Sequence, residues 1–247
     1  MTEKTLYLKC APGQVGELVL LTGDPARVDR AARQLEDAQL IARNREFVTF
    51  SGRHGGRSVS VVSSGIGAPS AAIALEELSQ LGVKAIVRVG TMMGIGAPLG
   101  TYVIASGAAR FEGTSSAYLP LQYPALPNWA LTSALERAGR ARGLAVQVGL
   151  TATYDAFYPK MAPALVGRGL PDIDQLQQAG VLALDMETAL VFVVGARLNV
   201  ATASMCLVTN EADPFAVLDA DKQANGEAAL FGAVLDGLAA WSEADGR

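Results

Sequence analysis

Three apolar runs end in glycine-containing turns whose neighbours could hold an anion. Gly23-Asp24-Pro25-Ala26-Arg27 follows residues 18–22 (LVLLT), and Gly65-Ile66-Gly67-Ala68-Pro69-Ser70 follows residues 58–63 (SVSVVS). Arg88-Val89-Gly90-Thr91 closes the run at residues 85–89 (AIVRV). In the first turn, free backbone N–H groups at a helix start and the Arg27 guanidinium converge, an arrangement suited to phosphate or carboxylate. None of the three has the spacing of a dinucleotide fingerprint or a Walker loop, and glycine after a strand more often serves the turn than a ligand. Arg88 says more. An arginine inside an apolar strand is costly to bury unless it meets a carboxylate or an anion, and the sequence leaves both open. Asp185-Met186-Glu187 follows another apolar run, VLAL, and opens a helix. Glu187 is there either as a charge favoured by the helix dipole or as an acceptor for the paired hydroxyls of a sugar. Asp155-Ala156-Phe157-Tyr158-Pro159 sets aromatic side chains at a loop mouth, as a lid or as core packing.

The elements that must position these groups alternate between strand and helix. Besides the runs above, residues 102–106, 146–153 and 201–208 read as buried strands, while 69–81, 126–142, 173–178, 187–198 and 225–244 carry helical spacing. Nearly continuous apolar strands between helices point to an α/β fold on a central sheet covered on both faces. In such folds ligands sit at the strand-to-helix turns. With no repeat, low-complexity tract or linker, residues 1–247 read as a single domain.

Composition removes several alternatives. Half of the 247 residues are apolar and 18% are charged, enough to bury a substantial core. A formal net charge of −4 offers no basic field for nucleic acid. The N-terminus lacks the apolar core of a signal peptide, and the most apolar later stretch is interrupted by Arg197 and Asn199, so no membrane segment is expected. A single histidine, His54, excludes a multi-histidine metal site, and it reads as a solvated turn residue. Two distant cysteines, Cys10 and Cys206, suit a reducing cytoplasm, with Cys206 as core packing. Arginine outnumbers lysine, 15 to 5, and is absent between Arg197 and Arg247.

Taken in order, GDPARV, NREFVTF, SGIGAPS, ALEELSQLGVKAIVRVGT, RFEGTS, YPALPNWALTSALERA, TATYDAFYP and LDMETA resemble the nucleoside phosphorylase family over nearly the whole chain. The bacterial uridine phosphorylases are the branch it resembles most. The resemblance implies a mixed, partly barrel-like sheet flanked by helices, and dimers assembled into a hexamer in which a neighbouring subunit completes each site. It implies phosphate at Gly23, Arg27, Arg88 and Thr91, with Arg45 contributed by the partner. Ribose would lie at Met186 and Glu187, with Tyr7 of the partner near the 5′-hydroxyl, and the base near Phe157. Arg27, Arg88 and Glu187 would carry the catalysis. The resemblance further implies inorganic phosphate as co-substrate with no cofactor required, and Glu46, Ile66 and Ser70 match the family's interface site for a monovalent cation such as K+.

The base side departs from that pattern. Met161 and Pro163 stand where the uridine enzymes carry a glutamine and an arginine, which puts uracil recognition by that pair in question. Met92 and Met93 follow Thr91, where a small residue and glycine are usual, and their bulk is expected to narrow or reshape the base pocket. Asn210 replaces the aspartate with which purine enzymes protonate the leaving base; an amide donates a hydrogen bond but is no general acid. The expected activity is therefore phosphorolysis of a uridine-like pyrimidine nucleoside. The alternatives are a purine nucleoside phosphorylase or a nucleoside-binding member with altered or lost turnover.

Overall fold

The computed structural model describes residues 4–156, 158, 172–212 and 215–242. Strand β1 (Leu18–Thr22) leads into helix α1 (Pro25–Ala32), and three strands follow, β2 (Glu36–Asn44), β3 (Phe47–His54) and β4 (Arg57–Ser63). Then come α2 (Ala68–Gln80), β5 (Ala85–Gly94), β6 (Tyr102–Phe111), α3 (Trp129–Ala141) and β7 (Val146–Tyr154). The chain continues through α4 (Ile173–Gln178), β8 (Val181–Asp185), α5 (Thr188–Leu198), β9 (Ala201–Ala212), β10 (Phe215–Val217) and α6 (Ala220–Ala240). No helix among the described residues is long and apolar enough to cross a membrane.

All ten of these strands join one mixed sheet, ordered β10-β9-β6-β7-β8-β5-β1-β4-β3-β2. A further parallel pairing of β5 with β9 closes β5, β8, β7, β6 and β9 into a ring. That ring is the partly barrel-like sheet expected, and β1, β4, β3 and β2 extend from it as an open wing.

Strand β1 shows why both faces of the wing are covered. Leu18 and Leu20 pack with Val28, Leu135, Phe231 and Leu235 of α1, α3 and α6, whereas Val19 and Leu21 pack with Leu75, Leu78, Val191 and Phe192 of α2 and α5. The same two-residue alternation governs β5. Ala85, Val87 and Val89 belong to the first cluster and Ile86 to the second, so Arg88 leaves the strand on the α5 side.

The antiparallel pair β2–β3 is not among the strands read from sequence. Strand β2 is an exposed edge with two register irregularities, and Asp37 has φ +52°. Bulges of that kind erase the two-residue alternation by which a strand is recognised. His54 also differs from expectation. It ends β3, and its Nε2 lies 2.7 Å from Asp236 Oδ1 on α6, rather than being left to solvent.

Asp236 also accepts a hydrogen bond from Arg142 Nε at 2.6 Å, which ties α6 to the end of α3 and to β3. Burial acts to raise the Asp236 pKa, but hydrogen bonds and charge from Arg142 and His54 outweigh it and hold the group below its ordinary 3.8. A carboxyl lowered in this way stabilises the fold above its unfolded-state pKa, and that stability is lost as pH falls through the folded-state value. Asp236→Asn should therefore be less stable than the unaltered chain at neutral pH, with the gap closing below pH 3.8. Thermal melts across that range check it, and a gap that persists unchanged into acid would rule out the charge as its origin.

Candidate active site

The carboxyl ends of β1, β5, β7 and β8 open onto a cavity of about 760 Å³, at the place where α/β sheets bind ligands. Its wall brings together Gly23, Arg27, Arg88, Thr91, Met92, Met93, Met186, Glu187 and Asn210, nine residues proposed from sequence for phosphate, ribose and base. Ile66, expected at a cation site, lines it as well.

At the cavity floor Arg88 is 8% exposed. Its Nη2 lies 3.0 Å from Asp185 Oδ2 and donates to Glu187 Oε2, and its Nη1 meets Cys206 Sγ at 2.8 Å. Burial works against the charge, but the field of Cys206, Asp185 and Glu187 more than offsets it, so the Arg88 pKa is raised. Cys206 is thus more than core filler, and burial pushes its own thiol pKa up. Gly90 makes room for the guanidinium, since a β-carbon there would lie 3.0 Å from Arg88 Nη1. Of the two sequence readings of Arg88, the structure realises the pairing with carboxylates, and the side chain also lines the cavity.

The two carboxylates are fixed in turn. Asp185 accepts from Thr153 Oγ1 at 2.7 Å, from Thr188 Oγ1 at 2.6 Å and from the Thr188 backbone N–H at 3.0 Å. Glu187 occupies the cap position of α5 without capping it, because its Oε1 accepts the Gly67 backbone N–H at 2.6 Å. Gly67 has φ +92°, a conformation that favours glycine, and this turns its N–H toward Glu187. The SGIGAPS turn therefore holds a carboxylate of its own chain and orients it.

At the other edge, Asp24 caps α1 by accepting the Ala26 N–H at 2.8 Å, which sets Arg27 into the first turn of the helix facing the cavity. Arg27 is held by Glu227 of α6. The sequence reading missed Glu227, although its signal is visible: an acid in helical register with Leu230, Phe231 and Val234 on a buried stripe.

Above the floor the wall becomes apolar. Met92 and Met93 are both buried, one packed with Val103, Cys206 and Val208, the other with Ala152, Tyr154 and Leu184. Their bulk is largely taken up in lining the strand ring. A bulge opposite them, where β9 passes from Val208 to Asn210, brings Asn210 to the wall. Among the described residues its Nδ2 is buried with no hydrogen-bond partner. Phe157, Met161 and Pro163 lie outside the described residues.

Four predicted residues do not line this cavity. Tyr7 stacks obliquely on Phe47 with ring centroids 6.0 Å apart, and its carbonyl accepts Asn44 Nδ2 at 2.8 Å. Arg45 sits in the β2–β3 turn with φ +52°. Glu46 and Ser70 lie 3.3 Å apart, beside Gly65.

Removing the Asp185 carboxylate strips Arg88, Thr153 and Thr188 of a shared buried partner. Asp185→Ala should cost about 3 kcal/mol or more of unfolding free energy, and a loss under about 1 kcal/mol in denaturant titration would contradict this account of the floor.

Comparison with known proteins gives concordant matches. The phosphorylase superfamily profile matches residues 17–239. A uridine phosphorylase of Thermococcus kodakarensis is 36% identical over 216 residues, covering 82% of this chain and 76% of the relative. A guanosine phosphorylase of Halorubrum lacusprofundi is 36% identical over 207 residues, 83% of each. The crystal structure of uridine phosphorylase from Vibrio fischeri superposes with a TM-score of 0.86 at 30% identity, covering 96% of this chain and 97% of that one.

Proposed function

The chain belongs to the phosphorylase superfamily, and from that premise we propose that it is a pentosyltransferase of nucleoside salvage, cleaving uridine-like pyrimidine nucleosides with inorganic phosphate to give free base and ribose 1-phosphate. The observation that carries the reading is that Gly23, Arg27, Arg88 and Thr91 line one cavity together with Glu187, Met92 and Met93. Phosphate bound by these groups attacks C1′ of the ribose as the glycosidic bond loosens, so no protein nucleophile is needed. The arginines supply proximity, and the dianion they hold faces the positive charge that develops on the sugar. Glu187, its carboxylate fixed by Gly67 and Arg88, accepts from the ribose hydroxyls beside Met186.

Arg45 and Tyr7 fit the same reaction as contributions from a second copy, since neither lines its own chain's cavity. A hexamer built of dimers would bring them to the neighbouring phosphate and ribose. The carboxylate of Glu46, the hydroxyl of Ser70 and the carbonyl of Ile66 are oxygen donors suited to a structural K+ at such an interface. Both cysteines are free thiols, which suits a cytoplasmic enzyme.

On the base side we assign Met92, Met93, Phe157, Met161 and Asn210. The Asn210 amide offers a hydrogen bond to a base carbonyl, and its unpartnered Nδ2 supports that role. A second reading, phosphorolysis of a 6-oxopurine nucleoside, is favoured by the guanosine phosphorylase relative and by the same donor, which a purine carbonyl would also satisfy.

Turnover of uridine, thymidine, inosine, guanosine and adenosine, each with and without phosphate, tests the reading. Base release that requires phosphate and is fastest with uridine or thymidine is expected. Fastest release from inosine or guanosine would establish the second reading. Release without phosphate, or none from any nucleoside, would overturn both.

A further inference from the structure

Helix α6 carries one charge on its buried stripe. Glu227 is 3% exposed, although Leu230, Phe231, Val234 and Leu238 on the same side belong to the core. A carboxylate so placed is tolerated only with partners. It has three: its Oε1 accepts Arg27 Nε at 2.9 Å and Gln223 Nε2 at 3.1 Å, with Arg27 Nη2 also 2.9 Å away, and its Oε2 accepts Arg30 Nη2 at 2.6 Å.

The geometry of the Arg27 contact is informative. Nε and Nη2 form one edge of the planar guanidinium, and both meet a single carboxylate oxygen. The adjacent edge, carrying Nη1 and the outer proton of Nη2, makes no hydrogen bond to any described residue, and Arg27 lines the cavity. Arginine offers five donors in a fixed fork, so fixing one edge fixes the direction of the other. Burial acts to raise the Glu227 pKa, but Arg27, Gln223 and Arg30 outweigh it and lower it, which keeps the group ionised as a partner.

We infer that Glu227 is a positioning residue for phosphate: from 200 residues away in the chain it holds one edge of Arg27 so that the other edge faces the bound dianion. The inference rests on the phosphate assignment of Arg27 made above. It sets Glu227 apart from a helix-to-helix tie, because its effect should fall on one substrate only. It also opposes a simpler electrostatic expectation. A negative charge beside a phosphate site weakens anion binding, so if position did not matter, removing it would tighten phosphate.

The test measures steady-state kinetics of the intact enzyme against phosphate and nucleoside separately, for Glu227→Ala, Glu227→Gln, Arg27→Ala and the double variant Arg27→Ala/Glu227→Ala. Glu227→Ala should raise the KM for phosphate on the order of ten-fold while the nucleoside KM and kcat at saturating phosphate change less than about three-fold. Glu227→Gln, which keeps an acceptor oxygen in the same place, should give a smaller rise, and it carries the test should the alanine variant fail to fold. The double variant should be no worse toward phosphate than Arg27→Ala alone, since Glu227 acts through that arginine. An unchanged or lower phosphate KM in the Glu227 variants, or equal effects on both substrates, would overturn the inference while Arg27→Ala still defines the phosphate site. No effect of Arg27→Ala on the phosphate KM would overturn the assignment beneath it as well.

Discussion

A guanidinium almost sealed from water stands within β5, and the surrounding structure is arranged to keep it charged. Arg88 reaches the α5 side of the sheet because Ile86 does, two residues earlier on the strand. There it meets Asp185 at the last position of β8 and Glu187 two residues later. Without those carboxylates a buried charge of this kind would cost several kcal/mol. With them, the floor of the cavity is a fixed array of donors and acceptors that does not need to be assembled when substrate arrives. Thr153, Thr188 and Gly67 extend the array to β7, α5 and the turn before α2, so four segments of the fold meet at one charge.

The two cavity arginines are held from different directions. Arg88 is held from below by the β8–α5 junction, whereas Arg27 is held from the side by α6. Each guanidinium is tied by carboxylates, yet both still line the space between them. Two guanidiniums thus line one cavity of a protein whose formal net charge is −4, and the proposed phosphate site draws on both. The arginine excess seen in composition has part of its explanation here, since a planar fork can be anchored on one side and used on the other, which a lysine cannot do.

Much of this was legible from sequence where chemistry and backbone requirement coincide. Gly23, Arg27, Arg88 and Glu187 stand out in the sequence at a strand-to-helix turn or as a misplaced charge, and the cavity gathers them; Thr91 joins them from inside β5, which runs on to Gly94 where the sequence reading ends the strand in a turn at Gly90. The strands of the ring were legible as apolar runs, but β2 was not, because its bulges break the alternation that identifies a half-buried strand. Glu227 escaped notice because its meaning depends on a contact with Arg27, and no local pattern in α6 reports where α1 will lie. His54 was misread for the same reason: a histidine before Gly55-Gly56 looks solvated until α6 supplies Asp236. The methionines were placed correctly in the cavity wall, yet how much of their volume the ring would absorb depended on packing across several strands.

In the proposed reaction a phosphate held at Arg88 is the nucleophile. The most direct measurement is the phosphate dependence of turnover in Arg88→Lys, which keeps a positive charge beside Asp185 and Glu187 but loses the planar fork. A folded protein whose phosphate-dependent rate falls on the order of 100-fold or more is expected. A folded variant that turns over nucleoside at the unaltered rate, with an unaltered response to phosphate, would contradict it.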